Sequence, residues 1–130
     1  MFNPDLEISQ PFTVRSSSVL TGSYVAGTTF SMDAHNALGL EVTYTKGSTD
    51  TALLMKVEVS NDGGTTYAQE ITETISGGTL NCAAAERSWT SSGTYSILIT
   101  PLRARLVKVS SMASGTATGT CAIKAYPLWV

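Results

Sequence analysis

The residues that come nearest to a catalytic pair are Asp33 and His35, in the polar stretch Ser31-Met32-Asp33-Ala34-His35-Asn36. His35 is the only histidine, and nucleophilic catalysis needs an activated serine or cysteine beside a base, usually histidine. The chain has no Gly-x-Ser-x-Gly motif, and neither Cys82 nor Cys121 has a histidine near it in sequence. A lone loop histidine is more often a capping or surface residue. We therefore expect no catalytic residues and no enzyme activity.

Metal and cofactor ligands are equally sparse. Asp33 with His35, and Asn61 with Asp62, offer two ligands each, whereas zinc takes three or four and calcium six to eight. A phosphate-binding glycine loop leads into a helix, and no helical pattern follows Gly63-Gly64. We predict no metal and no cofactor, with a calcium ion gathered from several loops as the alternative.

Aromatic side chains are the remaining candidates, because aromatic faces flanked by amides and carboxylates stack on sugars. In a small β-sandwich most large aromatic side chains belong to the core. Trp89, which lies between the polar residues Ser88 and Thr90, is the residue that we predict as a glycan platform if the chain binds carbohydrate.

Charge argues against nucleic acid as a partner. The net charge is -2, and the eight lysines and arginines are spread along the chain, whereas phosphate binding needs them clustered. Arg103 and Arg105 share one face of a strand, but two arginines are more typical of a solvated face. Charged residues make up 14% of the chain, against about 25% in ordinary domains. Such neutral surfaces favour protein–protein contact.

The N-terminal sequence has no basic and apolar signal pattern, and no run of about 18 apolar residues follows. We expect synthesis in the cytoplasm and no membrane contact. Cys82 and Cys121 have no short metal spacing, and in a reducing compartment we expect free buried thiols, with a disulfide as the alternative.

Period-two alternation dominates the chain and predicts strands. Two alternating runs joined by the turn Lys46-Gly47-Ser48-Thr49-Asp50 predict a hairpin. In the first run Leu38, Leu40, Val42 and Tyr44 share one face, and in the second Leu53, Met55, Val57 and Val59 do. On later strands Tyr95, Ile97 and Ile99 share a face, and Cys121, Ile123 and Ala125 are predicted to be buried.

Other segments are less regular. Residues 12–20 and 24–32 predict two weaker strands, and residues 66–74 predict another, followed by a turn at Ser76-Gly77-Gly78. Ala83-Ala84-Ala85-Glu86-Arg87 is the one place where the sequence allows a helical turn. In residues 103–110 either Ala104 and Leu106 or Val107 and Val109 point inward, and a bulge between them would satisfy both.

This pattern predicts an all-β fold: a single antiparallel, jelly-roll-like sandwich of about eight strands over residues 1–130. Residues 1–11 and 127–130 lie outside the clear pattern, and we predict that they form contact arms. Within these arms the predicted partner contacts are Phe2, Pro4, Leu128 and Trp129, and packing of the same residues within the domain is the alternative.

Two stretches resemble small structural proteins of tailed-phage virions. One runs from Ala34 to Gly47 and ends in Tyr-Thr-Lys-Gly; the other runs from Leu54 to Tyr67 and contains Ser-Asn-Asp-Gly-Gly-Thr-Thr-Tyr. The closing segments 104–109 and 114–120 are similar to the same group. The Val-Ser-Asn-Asp-Gly-Gly-Thr-Thr-Tyr portion also resembles discoidin-like, galactose-binding sandwiches.

The resemblance implies a capsid decoration (cement) protein that binds between subunits of the major capsid protein, forms a homotrimer and resides on the virion surface. A neck or tail component, or a receptor- or carbohydrate-binding sandwich, is the alternative. These remain expectations from the resemblance.

Overall fold

The computed structural model describes residues 11–32, 34–102 and 104–130, in which the chain forms strands and no helix. The strands are β1 (Phe12–Val19), β2 (Val25–Ala26), β3 (Phe30–Ser31), β4 (Ala37–Thr45), β5 (Asp50–Ser60), β6 (Ala68–Gln69), β7 (Ile71–Ser76), β8 (Thr79–Ala84), β9 (Arg87–Trp89), β10 (Gly93–Ile99), β11 (Leu106–Gly115) and β12 (Thr120–Leu128).

Two antiparallel sheets form the body of the molecule. The first has the order β1-β12-β4-β10, and the second has the order β2-β11-β5-β6, with β3 also paired to β11 and β9 also paired to β5. Among the described residues, strands β7 and β8 pair only with each other. The predicted all-β antiparallel sandwich is confirmed.

The twelve strands correspond to eight sandwich strands and one inserted hairpin. Strands β2 and β3 pair with successive parts of β11 and act as one interrupted strand; β6 and β9 do the same along β5. With these interruptions ignored, the chain crosses between the sheets at every connection except the one after β5. This is the strand order of a jelly roll.

The core lies between the inner faces of the two sheets. Every predicted inward residue of β4 is buried, as are three of the four predicted on β5 and the predicted set on β12. Val59, Tyr95 and Ile97 are half-buried and pack against this core. Because alternate residues of a strand point to opposite sheet faces, the two-residue spacing of the apolar side chains predicted which of them form the core.

Strand β11 settles the alternative between its two apolar sets. Val107 and Val109 are buried, whereas Ala104 and Leu106 are only half-buried. The predicted bulge between the sets is wrong, because β11 pairs with β5 without interruption from Leu106 to Ser114.

The buried carboxylate of Asp50 joins the start of β5 to the segment before β12. Asp50 accepts hydrogen bonds from the backbone N–H of Thr118 at 2.6 Å and of Gly119 at 2.9 Å, and from the Tyr44 hydroxyl at 3.2 Å. Burial alone would raise the pKa of Asp50, but the hydrogen bonds outweigh it and lower the pKa to about 2. A Cβ on Gly119 would lie 2.1 Å from the Asp50 carboxylate, so this approach requires glycine.

The region between β6 and β9 departs most from the sequence prediction. Instead of one strand over residues 66–74 and an irregular stretch, the chain leaves the sheet after Gln69, forms the β7–β8 hairpin, and returns at Arg87. The predicted helical turn is wrong: Ala83 and Ala84 pair with Thr72 and Ile71 in the hairpin. Strand pairing has overridden the helix propensity of alanine.

Candidate functional site

The β7–β8 hairpin is closed by a two-residue glycine turn. Gly77 and Gly78 have φ values of 59° and 79°. Positive φ at both central positions is the requirement of a type I′ turn, whose twist matches that of paired strands. The two strands therefore pair without a break from Ile71 and Ala84 at the base to Ser76 and Thr79 at the tip.

The hairpin has two chemically different faces. One face, here named the apolar face, carries a single charged group, Glu73; its other members are Ile71, Ile75, Leu80, Cys82 and Ala84. The opposite face, here named the polar face, is hydroxyl- and amide-rich apart from one alanine; its members are Thr72, Thr74, Ser76, Thr79, Asn81 and Ala83. The hairpin is thus amphipathic across its thickness.

Nothing in the described part of the chain buries the apolar face. Every residue of β7 and β8 is exposed, and Ile75 exposes 79% of its surface, Leu80 56% and Ile71 51%. An isolated two-stranded hairpin is marginally stable in water, and contiguous apolar surface usually marks a contact site. The hairpin therefore has the composition of a surface that another molecule covers.

The base of the hairpin is firmly attached to the sandwich. Arg87 donates two hydrogen bonds to the Glu70 carboxylate, at 2.5 and 3.0 Å, and the Gln69 amide donates to the Ala85 carbonyl at 2.9 Å. The Tyr24 hydroxyl donates to the Glu86 carboxylate just beside them. Burial, and next this hydrogen bond, raise the pKa of Tyr24, so the phenol stays protonated. These contacts join the two chain segments from which the hairpin extends.

A second exposed surface lies at the C-terminus. Pro127 and Leu128 continue β12 by pairing with β4, so only Trp129 and Val130 of the predicted C-terminal arm lie beyond the strand. The Asn36 side chain holds them: it donates to the Val130 carbonyl and accepts from the Val130 N–H, both at 2.9 Å. Trp129 precedes this bonded residue in the chain and is itself 69% exposed.

Trp129 lines an open cleft of about 500 Å³ with His35, Asn61 and Arg105. The Asn61 side-chain oxygen accepts a hydrogen bond from the backbone N–H of Arg105 at 3.1 Å, which joins the loop after β5 to the segment before β11. Arg105, which carries a guanidinium, is an exposed residue. An aromatic ring, an amide and a cation thus border one concave surface.

The predicted glycan platform, Trp89, lies elsewhere. Its ring stacks on Tyr95 with centroids 5.4 Å apart and planes 22° apart, and it packs against the core while half-buried. Leu128 is half-buried in β12. Phe2, Pro4 and Asp33 lie outside the described residues, so the predicted N-terminal contacts stay predictions.

Both cysteines are free thiols, as expected, but only one is buried. Cys121 lies in the core, where burial raises the pKa of its thiol to about 11. Cys82 is exposed on the apolar face, so the prediction of a buried thiol is wrong there. Cys82 lies on an inserted hairpin, whereas Cys121 lies on an inner sandwich strand.

Within residues 11–32, 34–102 and 104–130, no three His, Cys, Asp or Glu side chains are grouped so that they could hold a metal ion. In the same residues there is no helix of the length and apolarity needed to cross a membrane.

Sequence reasoning missed the hairpin although a signal for it exists. Alternation at Ile71, Glu73 and Ile75 is mirrored after Gly77-Gly78 by Leu80, Cys82 and Ala84. Two alternating runs around a Gly-Gly pair are a hairpin signature. The charge of Glu73 and the small side chain of Ala84 weaken the pattern.

No protein-family model matches the chain, and no curated protein matches it. Its function therefore has to be inferred from these surfaces.

Proposed function

We propose that the chain is a non-enzymatic structural protein of a phage virion, a capsid decoration (cement) protein that binds between major capsid subunits and stabilises the head. The observation that carries the proposal is the β7–β8 hairpin, an apolar sheet face held clear of a sandwich core. Its physical role is to bring exposed apolar surface into contact with other protein chains.

The arrangement of the body supports this role. Its core draws on both sheets and needs no residue of the hairpin. Exposing Ile71, Ile75 and Leu80 therefore brings no benefit to the folded monomer, and burying the exposed part of each between chains is worth at most about 1.5–3 kcal/mol. A protein that assembles with other chains can bury such a surface at the contact, which stabilises the assembly.

In the proposal, the C-terminal end contacts the major capsid protein. Trp129 and Val130 are each 69% exposed, yet the Asn36 side chain bonds the Val130 backbone on both its N–H and carbonyl sides. The backbone beside Trp129 is thus held before binding, and a large, exposed aromatic side chain is the residue type most common at binding hot spots. The protein acts as a homotrimer on the capsid surface.

The test uses undecorated heads of the phage whose genome encodes the chain. Purified protein added at micromolar concentration is expected to co-sediment with the heads and to raise their disruption temperature. Trp129→Ala is expected to weaken binding by tenfold or more, and Trp89→Phe, which keeps the stacking on Tyr95, serves as the matched control. Wild-type protein that stays in the supernatant and gives the heads no heat resistance would end the cement assignment.

The Trp129 cleft favours a second candidate function, a receptor- or carbohydrate-binding module of a phage tail. An exposed indole can stack on a pyranose ring, and Arg105 and Asn61 beside it can bind hydroxyl or carboxylate groups. A glycan array checks it: selective sugar binding lost in Trp129→Ala but kept in Trp89→Phe would favour this function. Immunogold labelling of virions distinguishes head from neck or tail.

A further inference from the structure

We infer that the free edge of β10 is a docking site for an extended segment of another protein, which pairs with β10 as an added strand of the first sheet. Strand β10 pairs with β4 on one side, and within residues 11–32, 34–102 and 104–130 no strand pairs with its other side. This surface is separate from the hairpin and from the Trp129 cleft. The inference goes beyond the proposed function, because it does not require a partner in a virion.

The other sheet edges carry features that hinder pairing with a further strand. Strand β1 has register shifts on both sides of Arg15, and the edge strands of the second sheet, β2, β3, β6 and β9, are two or three residues long. Bulges, charges and short strands are the usual protection of an edge against another chain. Strand β10 has none of them: its seven residues include no charged residue and no proline, and they pair with β4 without a register shift.

The hydrogen bonds of the neighbouring strands show which backbone groups β10 leaves unpaired. The Gly119 carbonyl accepts from the Leu20 N–H at 2.9 Å, and the Cys121 carbonyl accepts from Arg15 Nε at 3.1 Å. The odd-numbered residues of this segment therefore point their backbone groups towards β1. Because alternate residues of an antiparallel strand bond opposite neighbours, even-numbered residues of β12 bond odd-numbered residues of β4. Even-numbered residues of β4 then bond odd-numbered residues of β10.

Thr94, Ser96 and Leu98 consequently point their N–H and carbonyl groups away from β4, at the open edge. Each of these three residues can donate one hydrogen bond to an added antiparallel strand and accept one from it. Successive residues of the set are about 7 Å apart, which is the two-residue repeat of any extended chain. An extended polypeptide is therefore the ligand whose donors and acceptors match this edge.

The side chains along the edge define the partner segment further. Tyr95 and Ile97 are half-buried and pack against the core. Thr94, Ser96 and Leu98 are exposed on the outer face of the sheet. Partner residues opposite Tyr95 and Ile97 would extend the core, so they should be apolar, whereas their neighbours face water. The inferred partner is thus a segment of five residues that is apolar at its second and fourth positions and uncharged there.

The position of the edge favours a single added strand over a second sandwich. The Trp89 ring of β9 stacks on Tyr95 of β10, so the β6–β9 edge of the second sheet lies on the same side of the molecule as the β10 edge. The β7–β8 hairpin emerges between β6 and β9, on that side. A second sandwich placed edge to edge would have to accommodate the hairpins of both copies, whereas an added strand takes a strip about 5 Å wide.

The probe is a synthetic peptide, acetyl-Lys-Thr-Val-Thr-Val-Thr-Lys-amide, in which the lysines provide solubility. In the inferred register its threonine backbone groups point to β10 and its valine backbone groups point away. N-methylation of the two valine amides should leave binding to β10 intact and prevent the peptide from pairing with itself. N-methylation of two threonine amides, the matched control, should weaken binding by about tenfold or more, because it removes donors to β10.

Amide hydrogen exchange measured by NMR locates the bound peptide. Saturation with the valine-methylated peptide is expected to slow exchange by about tenfold at the amides of Thr94, Ser96 and Leu98. The amides of Tyr95 and Ile97 are bonded to β4 already, so their exchange should not change.

Ser96→Pro tests the edge from the side of the protein. The Ser96 N–H points away from β4, and proline is tolerated on edge strands where the missing N–H faces solvent. The variant is expected to bind the valine-methylated peptide about tenfold more weakly, with an unchanged circular dichroism spectrum. Ser96→Ala keeps the N–H and should bind as the wild type does. If Ser96→Pro does not fold, the two methylated peptides still decide the question on the wild-type chain.

Three results would overturn the inference. Equal binding of the two methylated peptides would mean that the contact is not made through the strand backbone, and no binding at millimolar peptide would mean that the edge accepts no strand. Slow exchange at Thr94, Ser96 and Leu98 without peptide, together with a dimer in sedimentation, would mean that a second copy occupies the edge. These measurements use no phage heads, so a failure here is distinct from a failure of the proposed function.

Discussion

The sandwich body and the β7–β8 hairpin use the same alternation of apolar and polar residues with opposite outcomes. In β4, Leu38, Leu40 and Val42 are at most 1% exposed, whereas in the hairpin Ile75 and Leu80 are mostly exposed. The two cysteines differ in burial in the same way: Cys121 is buried in the body, and Cys82 is exposed on the hairpin. Alternation produces a two-faced sheet in both regions, but only the body supplies a second sheet to cover the apolar face.

The difference shows that the apolar side chains of a strand are buried only where a second sheet packs against them. The apolar residues of the body stabilise the folded chain, whereas those of the hairpin are exposed and, in the proposed function, are buried against another chain. Substitutions in the two regions should therefore change different measurements, the first changing unfolding and the second changing association.

The largest contrast is expected between Leu40→Ala and Leu80→Ala. Leu40 is buried, so its truncation leaves a cavity and should lower the free energy of unfolding by about 3 kcal/mol. Leu80 is exposed, so its truncation should change the free energy of unfolding of the monomer by less than about 0.5 kcal/mol. Urea unfolding of dilute protein measures both. Equal losses in the two variants would mean that the hairpin belongs to the core.

Asp50→Asn should lower the free energy of unfolding of the sandwich body. The amide keeps one acceptor oxygen but replaces the other, Oδ2, by an NH2 group that cannot accept from the Gly47 N–H at 3.3 Å or from the Tyr44 hydroxyl at 3.2 Å, and we expect a loss of about 2 kcal/mol at neutral pH. Asp62→Asn, in an exposed turn where Asp62 accepts from Thr66 N–H at 2.9 Å, is the control and should cost less.

The effect of Asp50 should depend on pH in a defined direction. Its pKa in the folded chain is about 2, below the ordinary 3.8. The carboxylate therefore stabilises the folded state fully above pH 4, and this contribution is lost as pH falls from 4 through 2. Unfolding curves of wild type and Asp50→Asn should converge over that range. A constant difference down to pH 2 would contradict this assignment.

The smallest effect concerns a polar group inside the body. The Ser111 hydroxyl is buried and has no hydrogen-bond partner among the described residues. Ser111→Ala removes this unpaired group and should raise the free energy of unfolding by about 1 kcal/mol without affecting association. A loss of stability in the same urea series would show that the hydroxyl has a partner.

Most of the body could be predicted from the sequence, because alternation on β4, β5, β10 and β12 fixes which side chains face inward. Alternation did not reveal that β6 and β9 form one interrupted strand. The hairpin is inserted between them, and the Glu70–Arg87 contact that joins the two sides links residues 17 positions apart, which leaves no local pattern. The strand order of the sheets has the same long-range origin.

The candidate site was predicted less well. The apolar, terminal position of Trp129 predicts a contact residue, which stays a prediction, and the hydrogen bonds between Asn36 and Val130, 94 positions apart, leave no local pattern. The exposure of the hairpin could not be predicted, because periodicity marks an apolar face without telling whether another sheet covers it. Ile71 and Ile75 share one strand face as Leu38 and Leu40 do; their exposure is a property of the assembled fold.

The central claim, that the hairpin serves contact between chains and not folding, can be tested by removing it. The Ala85 N–H donates to the Glu70 carbonyl at 2.7 Å, so an Asn-Gly dipeptide in place of residues 71–84 would close this bond as a two-residue turn. The measurement is the free energy of unfolding of this shortened chain in urea. We predict a cooperative transition within about 1 kcal/mol of the full chain. A shortened chain that does not fold, or that loses more than about 3 kcal/mol, would show that the hairpin is part of the folded core.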